Sequence, residues 1–452
     1  MLRWLLPVCL MLVAAPLGAQ GTDVRQYRAT ADRIIAAALA DSAAYARLAE
    51  LTDRFGHRFS GSDALEHALD WILAEMRRDG LANVRGEPVM VPVWVRGEES
   101  AELVVPRAQR LPMLGLGGSA ATPPEGITAE VLVVDSFDEL SARAAEARGK
   151  IVLFDVPFTT YGETVRYRSD GADAAARAGA VASLIRSVTP TSQRSPHTGM
   201  MRYADSVARI PHAALTVEDA MMLHRMQDRA ERIVVRLRMG ARELPDRESR
   251  NVVGELVGRE RPDEVVVMGG HIDSWDVGQG AMDDGGGVVA AWDALRVLKR
   301  LGLTPRRTIR VVGWTNEENG LRGGTAYRDA HREALDRHVL AIESDAGVFA
   351  PEGFSFTGSD AAFAIVQQVG ALLEGIGAGR ITRGGGGADV GPIMRDGVPG
   401  MGLDVDGTRY FWYHHSDGDT VDKLDPREMN LCVAVMAVMA YVVADLPERL
   451  PR

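Results

Sequence analysis

From His271 to Asp345 the chain sets histidine and carboxylate side chains at the ends of apolar runs. These read Val-Val-Val-Met-Gly-Gly-His271-Ile-Asp273, Ala-Met-Asp283-Asp284-Gly-Gly-Gly, Gly-Trp-Thr-Asn-Glu317-Glu318-Asn-Gly and Ala-Ile-Glu-Ser-Asp345. His415 follows 70 residues after Asp345, beside His414 in Tyr-Phe-Trp-Tyr413-His414-His415-Ser-Asp-Gly-Asp-Thr. Singly, each has an ordinary reading: Asp283 as a helix N-cap, Glu317 and Glu318 as a solvated acidic loop, the histidines as packed side chains. As a set they supply one histidine and one carboxylate for each of two metal ions, a further carboxylate to bridge them and a spare glutamate. Adjacent carboxylates such as Glu317 and Glu318 are tolerable near a buried site only if a cation neutralises one. One of the pair would then hold metal and the other act as general base. His271 and Asp273, two apart on an extended strand, point to one face, so the Asp273 carboxylate can hold the second imidazole nitrogen. The chemistry expected is hydrolysis, in which two metal ions activate a water and polarise a scissile carbonyl.

Strand-like runs at Asn251 to Val257, Glu264 to Met268, Thr308 to Trp314 and Val339 to Glu343 alternate with helical patterns at Gly286 to Leu301, Leu321 to Leu335 and Ala361 to Glu374. A helix from Pro426 to Asp445 ends the pattern. This alternation predicts an α/β fold with a mixed, largely parallel sheet flanked by helices, which presents chemistry at strand ends. Residues 22–97 are expected to be the N-terminal helical part of this domain, and 241–452 its main body. Between them, 98–240 reads as a β-rich insertion of short runs broken by glycine and proline. Its Arg-Gly-Lys150-Ile-Val-Leu-Phe-Asp and Ile-Pro-His-Ala-Ala-Leu-Thr-Val stretches resemble the protease-associated domain, implying a lid or binding module. His57, in the loop Arg-Phe-Gly-His57-Arg-Phe-Ser, could approach the site or simply sit at the surface.

With 46% hydrophobic and 25% charged residues, the composition is that of a folded soluble protein. A net charge of −11 argues against nucleic acid or an anionic membrane as partner. Arg3, the apolar run Trp4 to Leu17 and the small residues Gly18 and Ala19 describe a signal peptide over 1–19. That run is shorter than the ~20 residues of a membrane span, so cleavage and a secreted or periplasmic product are expected. Of two cysteines, Cys9 would leave with the signal and Cys432 is expected to be a buried free thiol. The chain carries no Gly-x-Ser-x-Gly elbow to support serine hydrolysis.

The text Gly-Gly-His271-Ile-Asp273-Ser-Trp275, Gly-Ala-Met-Asp283-Asp284-Gly-Gly-Gly, Asn-Glu317-Glu318-Asn-Gly, Glu-Ser-Asp345-Ala-Gly, Arg-Gly-Gly-Gly-Gly-Ala-Asp389 and His414-His415-Ser-Asp-Gly-Asp-Thr resembles the M28 family of zinc peptidases, over most of the chain. The resemblance implies His271 and Asp345 on one zinc, Glu318 and His415 on the other, Asp283 bridging and Glu317 as catalytic base. It further implies a cis peptide after Asp283, a homodimer, and small peptides, dipeptides in particular, as substrates of a carboxypeptidase. Aminopeptidases of the same family are the alternative, and a binding protein on a dead scaffold would lack ligands that are all present here. Tyr413 could assist the oxyanion or be a packed aromatic. The loop Gly384 to Gly387, through Gly385, Gly386 and Asp389, is expected to line the substrate pocket, since glycine amides can approach a carboxylate closely.

Overall fold

The computed structural model describes residues 23–452, and the 1–19 segment lies outside the described residues. An eight-stranded sheet runs Ala82–Val95, Arg242–Leu256, Arg307–Trp314, Arg261–His271, His338–Glu343, Gly400–Val405, Pro351–Thr357, Arg380–Arg383 from edge to edge. The four central strands from Arg307–Trp314 to Gly400–Val405 pair in parallel. The Val265 to Met268 run is buried throughout, as a strand covered by helices on both faces requires. One cover is Gly286–Arg300. The Pro426–Asp445 helix packs against it, and also against Arg28–Leu39. Asp425 caps that last helix by accepting from Arg427 and Glu428 amides, and Pro426 opens it. It is long and apolar enough to cross a membrane, but 89% of its most apolar window is buried inside the protein, so it is a core helix. Cys432 on it is free and buried, its thiol donating to the Phe349 carbonyl at 3.2 Å.

A second eight-stranded sheet takes all its strands from Glu99–Val105 to Val234–Met239, with Tyr161–Arg177 and Val217–Asp228 as its longer helices. Its apolar residues form cores of their own around Leu153, Leu184 and Leu237 and around Phe154 and Ile185.

Three departures from the sequence reading have physical reasons. Residues 82–95, placed in a helical segment, form a 14-residue strand at the sheet edge, where Pro88 and Pro92 are tolerated because one side needs no ladder bonds. The helix expected from Leu321 to Leu335 stops at Ala330 and continues as a 3-10 turn, Arg332–Arg337. The strands Pro351–Thr357, Arg380–Arg383 and Gly400–Val405 carry glycines and arginines that hide the apolar pattern.

Candidate metal centre

The Arg261–His271 strand ends in Gly269 and Gly270 because side chains there have no room. A Cβ on Gly269 would lie 1.8 Å from the Val312 oxygen, and one on Gly270 2.0 Å from Asp284 Oδ2. Asp284 fills that space and takes the capping role open to Asp283: its carboxylate accepts from the His271 amide at 3.0 Å and the Gly287 amide at 3.1 Å. Asp283 is thereby left free, and a cis peptide joins the two aspartates.

Around Asp283 two groups of donors form. His271 Nε2 lies 3.2 Å from Asp283 Oδ1 and 3.3 Å from Asp345 Oδ1. His415 Nε2 lies 3.3 Å from Asp283 Oδ2 and 3.0 Å from Glu318 Oε2. Two donors each about 2.0 Å from a tetrahedral zinc are about 3.3 Å apart, so these spacings fit such an ion in each group. His271 Nδ1 lies 2.9 Å from the Asp273 carbonyl, and His415 Nδ1 3.3 Å from the Thr198 carbonyl. Donation to those carbonyls fixes the tautomer that leaves each Nε2 lone pair for metal. Asp283 Oδ2 and Glu318 Oε1 are buried without a hydrogen-bond partner. His414 stacks on His415 with ring centres 3.5 Å apart, and its Nε2 is 3.7 Å from Asp283 Oδ2. Asp283, His414 and His415 can also be grouped as a metal triad. We favour His415 with Glu318, because both carboxylates converge on one nitrogen there at shorter distance.

The electrostatics call for a cation. Burial pushes Glu317 well above the usual carboxylate range, with Asp345, Glu318 and Asp389 adding to the rise against the pull of His271. Burial, aided by Asp283, pushes Glu318 up to about 7. Burial opposes charge on His415, but Glu318 and Asp283 outweigh it and raise the imidazole to about 9. Carboxylates in such excess over histidines are held at neutral pH by positive charge.

The remaining expected residues fall in different places. The Asp273 carboxylate does not orient His271: it stands 3.8 Å from Nδ1, while the Asp273 backbone carbonyl makes the contact. The carboxylate accepts instead from the Glu317 and Glu318 amides and from Ser60, fixing the Glu317 turn. Glu317 lines a cleft of about 610 Å³ together with Asp283, Glu318, Asp345 and His415. Tyr413 does not line it; Tyr410 and Phe411 do, one turn earlier. Tyr413 packs at the edge of the main core under Lys423. Gly385 and Gly386 stay outside the cleft lining, the Gly385 carbonyl accepting from Thr357 Oγ1 at 2.8 Å. Asp389 is buried, with neither carboxylate oxygen partnered. His57 is exposed, whereas its neighbour Arg58 is buried and donates to the carbonyls of Ile272, Gln279 and Gly280. Arg58, Asp419 and three residues of the second-sheet segment, Tyr161, Arg168 and Thr198, were not singled out as site residues from the sequence. The only signal for Asp419 was its place in the His-His-Ser-Asp-Gly-Asp text.

The model of Peptidase family M28 matches residues 251–440, which hold every histidine and carboxylate of the two groups around Asp283. The chain is 51% identical to carboxypeptidase Q of Bos taurus over 413 residues, 91% of this chain and 88% of that protein. It is equally 51% identical to carboxypeptidase Q of Homo sapiens, with 91% and 88% covered. The crystal structure of a peptidase M28 precursor from Shewanella amazonensis superposes with a TM-score of 0.92 at 36% identity, over 95% of this chain and 99% of that one. A zinc aminopeptidase from Bacillus subtilis shares the fold at 20% identity, with a TM-score of 0.66 over 90% of this chain and 98% of that one. A carboxylate flanked by two histidine–carboxylate pairs, in a chain related along nearly its whole length to such enzymes, leaves one conclusion: the protein belongs to peptidase family M28 and is a zinc-dependent exopeptidase.

Proposed function

We propose that the chain is an exported two-zinc exopeptidase that hydrolyses small peptides, chiefly dipeptides, as a carboxypeptidase. The observation that carries the reading is that the two oxygens of Asp283 face different histidine and carboxylate partners. His271 and Asp345 would hold one ion, Glu318 and His415 the other, and Asp283 both. Zinc bound there supplies Lewis acidity that acidifies water and polarises a carbonyl. Glu317, lining the cleft but outside both donor groups, removes a proton from the attacking water and returns it to the leaving amine. Its backbone is held by the Asp273 carboxylate at 3.1 Å, so the base is aimed before substrate arrives. Tyr161, Tyr410 and Phe411 wall the cleft with apolar surface that excludes bulk water. The cleft volume of about 610 Å³ suits a few residues rather than a folded protein. The carboxypeptidase direction is supported by the near full-length relatives named carboxypeptidase Q. Export is supported by the charged and apolar segments of residues 1–19.

Free dipeptides, N-blocked dipeptides and C-amidated dipeptides should be assayed with zinc stripped and restored. Hydrolysis is expected to vanish on chelation and return with zinc, and Glu317→Gln to slow it between about 10²- and 10⁴-fold. Full activity in Glu317→Gln would sink the assignment of the base.

A further inference from the structure

Of the five donors at the candidate metal centre, His415 alone has a positive φ, +58°, in the left-handed region that a histidine adopts only at a cost. Bonds inside its turn run back to the short Tyr410–Tyr413 helix: the His414 amide donates to the Tyr410 carbonyl at 3.0 Å and the Ser416 amide to the Tyr413 carbonyl at 3.1 Å. The carbonyls of His414 and His415 bond instead to the second-sheet segment. His197 Nδ1 is 2.6 Å from the His414 oxygen, and the Thr198 amide donates to the His415 oxygen at 2.9 Å. A carbonyl only accepts, so His197 Nδ1 carries a proton and donates it. The Thr198 carbonyl in turn receives the His415 imidazole at 3.3 Å.

We propose that His197 and Thr198 form a clamp that holds His415 in its ligand pose, so that the second-sheet segment controls occupancy of the Glu318–His415 zinc site and leaves the His271–Asp345 site to the peptidase sheet. This rests on the two-zinc reading above. It makes His197 a positioning residue, which acts through the His414 peptide and does not line the cleft.

The clamp is itself anchored. The His197 amide donates to Ser187 Oγ at 2.9 Å, and that hydroxyl to the Leu215 carbonyl at 2.6 Å. Thr198 Oγ1 donates to the Gly115 carbonyl at 2.8 Å, and the Gly117 amide to the Gly199 carbonyl at 3.0 Å. Ser187 follows the Ala182–Arg186 strand, while Leu215 and Gly115 end His212–Leu215 and Met113–Gly115, so residues 197–199 hang from three adjacent strands of the second sheet. His197 and Thr198 are both buried. A carbonyl deprived of His197 there loses its partner rather than exchanging it for bulk water.

The other donor group is built without the clamp. The amide and imidazole of His271 meet Asp273, Asp283, Asp284 and Asp345, all from the peptidase sheet and its loops. Loosening the clamp therefore weakens one ion and spares the other, which general loss of stability does not do.

The test counts zinc on the full chain across a series of chelator concentrations, with urea midpoints recorded beside it. The wild type is expected to hold two equivalents. In His197→Phe one equivalent is held between about 10- and 100-fold more weakly, the cost of losing an outer partner of a ligand, while the second keeps its affinity. His197→Asn, whose side-chain amide can donate from near the Nδ1 position, restores most of the loss. Thr198→Val removes only the hydroxyl that ties the clamp to Gly115; it loosens the same equivalent several-fold and reports even if His197→Phe fails to fold. Leu184→Ala opens a cavity in the second-sheet core, so it lowers the urea midpoint but keeps both equivalents. If both equivalents weaken together in His197→Phe, His197 is a packing residue only and the proposal falls. Unchanged affinity in His197→Phe, or equal release from Leu184→Ala, overturns it as well, and each of these results leaves the two-zinc reading standing. A wild type that holds a single equivalent overturns that reading and the proposal together.

Discussion

Asp419 grips the backbone that presents Asp283. Its Oδ1 accepts from the Ala281 amide at 3.1 Å and the Met282 amide at 2.7 Å, and its Oδ2 from the Asp283 amide at 3.2 Å. Asp419→Ala strips the partners from three buried N–H groups, each worth about 1–3 kcal/mol when left unpaired. Zinc affinity, read by chelator competition, is expected to fall between about 10- and 100-fold, with Asp419→Asn intermediate. Unaltered affinity in Asp419→Ala would show that the turn holds its shape alone. The sequence displayed the donor types around Asp283 because histidine and carboxylate at strand ends are unusual in isolation. It did not display Asp419 or Arg58, whose partners are backbone groups more than 130 and 210 residues away, a relation no spacing records. Asp273 is the instructive middle case. Its two-residue spacing from His271 was visible, but which of its oxygens faced the ring was not, because the chain leaves extended geometry after His271.

At the scale of elements, the glycines ending the Arg261–His271 strand let Asp284 dock onto the His271 amide. Gly270→Ala would force its methyl into Asp284 Oδ2, undoing the start of the Gly286–Arg300 helix and the approach of His271 together. Urea unfolding should show a loss of roughly 1–3 kcal/mol, the range for overpacking, and peptidase activity should fall with it. Gly162→Ala, at an exposed site with nothing within 4 Å, should stay within about 0.5 kcal/mol of wild type. Equal tolerance of both would show that the crowding is relieved by backbone movement. Central strands were readable because burial on both faces makes them continuous runs of valine. Edge strands such as Ala82–Val95 were not, since half-exposed residues and prolines blur any period.

Across the molecule, each sheet carries one buried neutral histidine away from the metal centre. Burial lowers both His212, in the second sheet, and His338, in the first, to about 4. An unfolded chain protonates its histidines near 6.5, so the stability these two contribute is complete above that value and is lost as pH falls from 6.5 towards 4. At about pH 5 each costs about 2 kcal/mol relative to about pH 7.5. The double variant His212→Gln, His338→Gln, compared with wild type under saturating zinc, should lose about 4 kcal/mol less across that interval in urea titrations. Parallel loss in both proteins would place the acid sensitivity elsewhere.

His415 and Thr198 bond to each other twice, the Thr198 amide to the His415 carbonyl at 2.9 Å and the imidazole back to the Thr198 carbonyl. His415 is also the last of the five donors along the chain, 70 residues behind Asp345. During synthesis the other four are all made before their final companion exists, and that companion must then find a strand of chain laid down far earlier. A chain cut short anywhere before His415 therefore lacks one of the five, however much of the sheet it has already built.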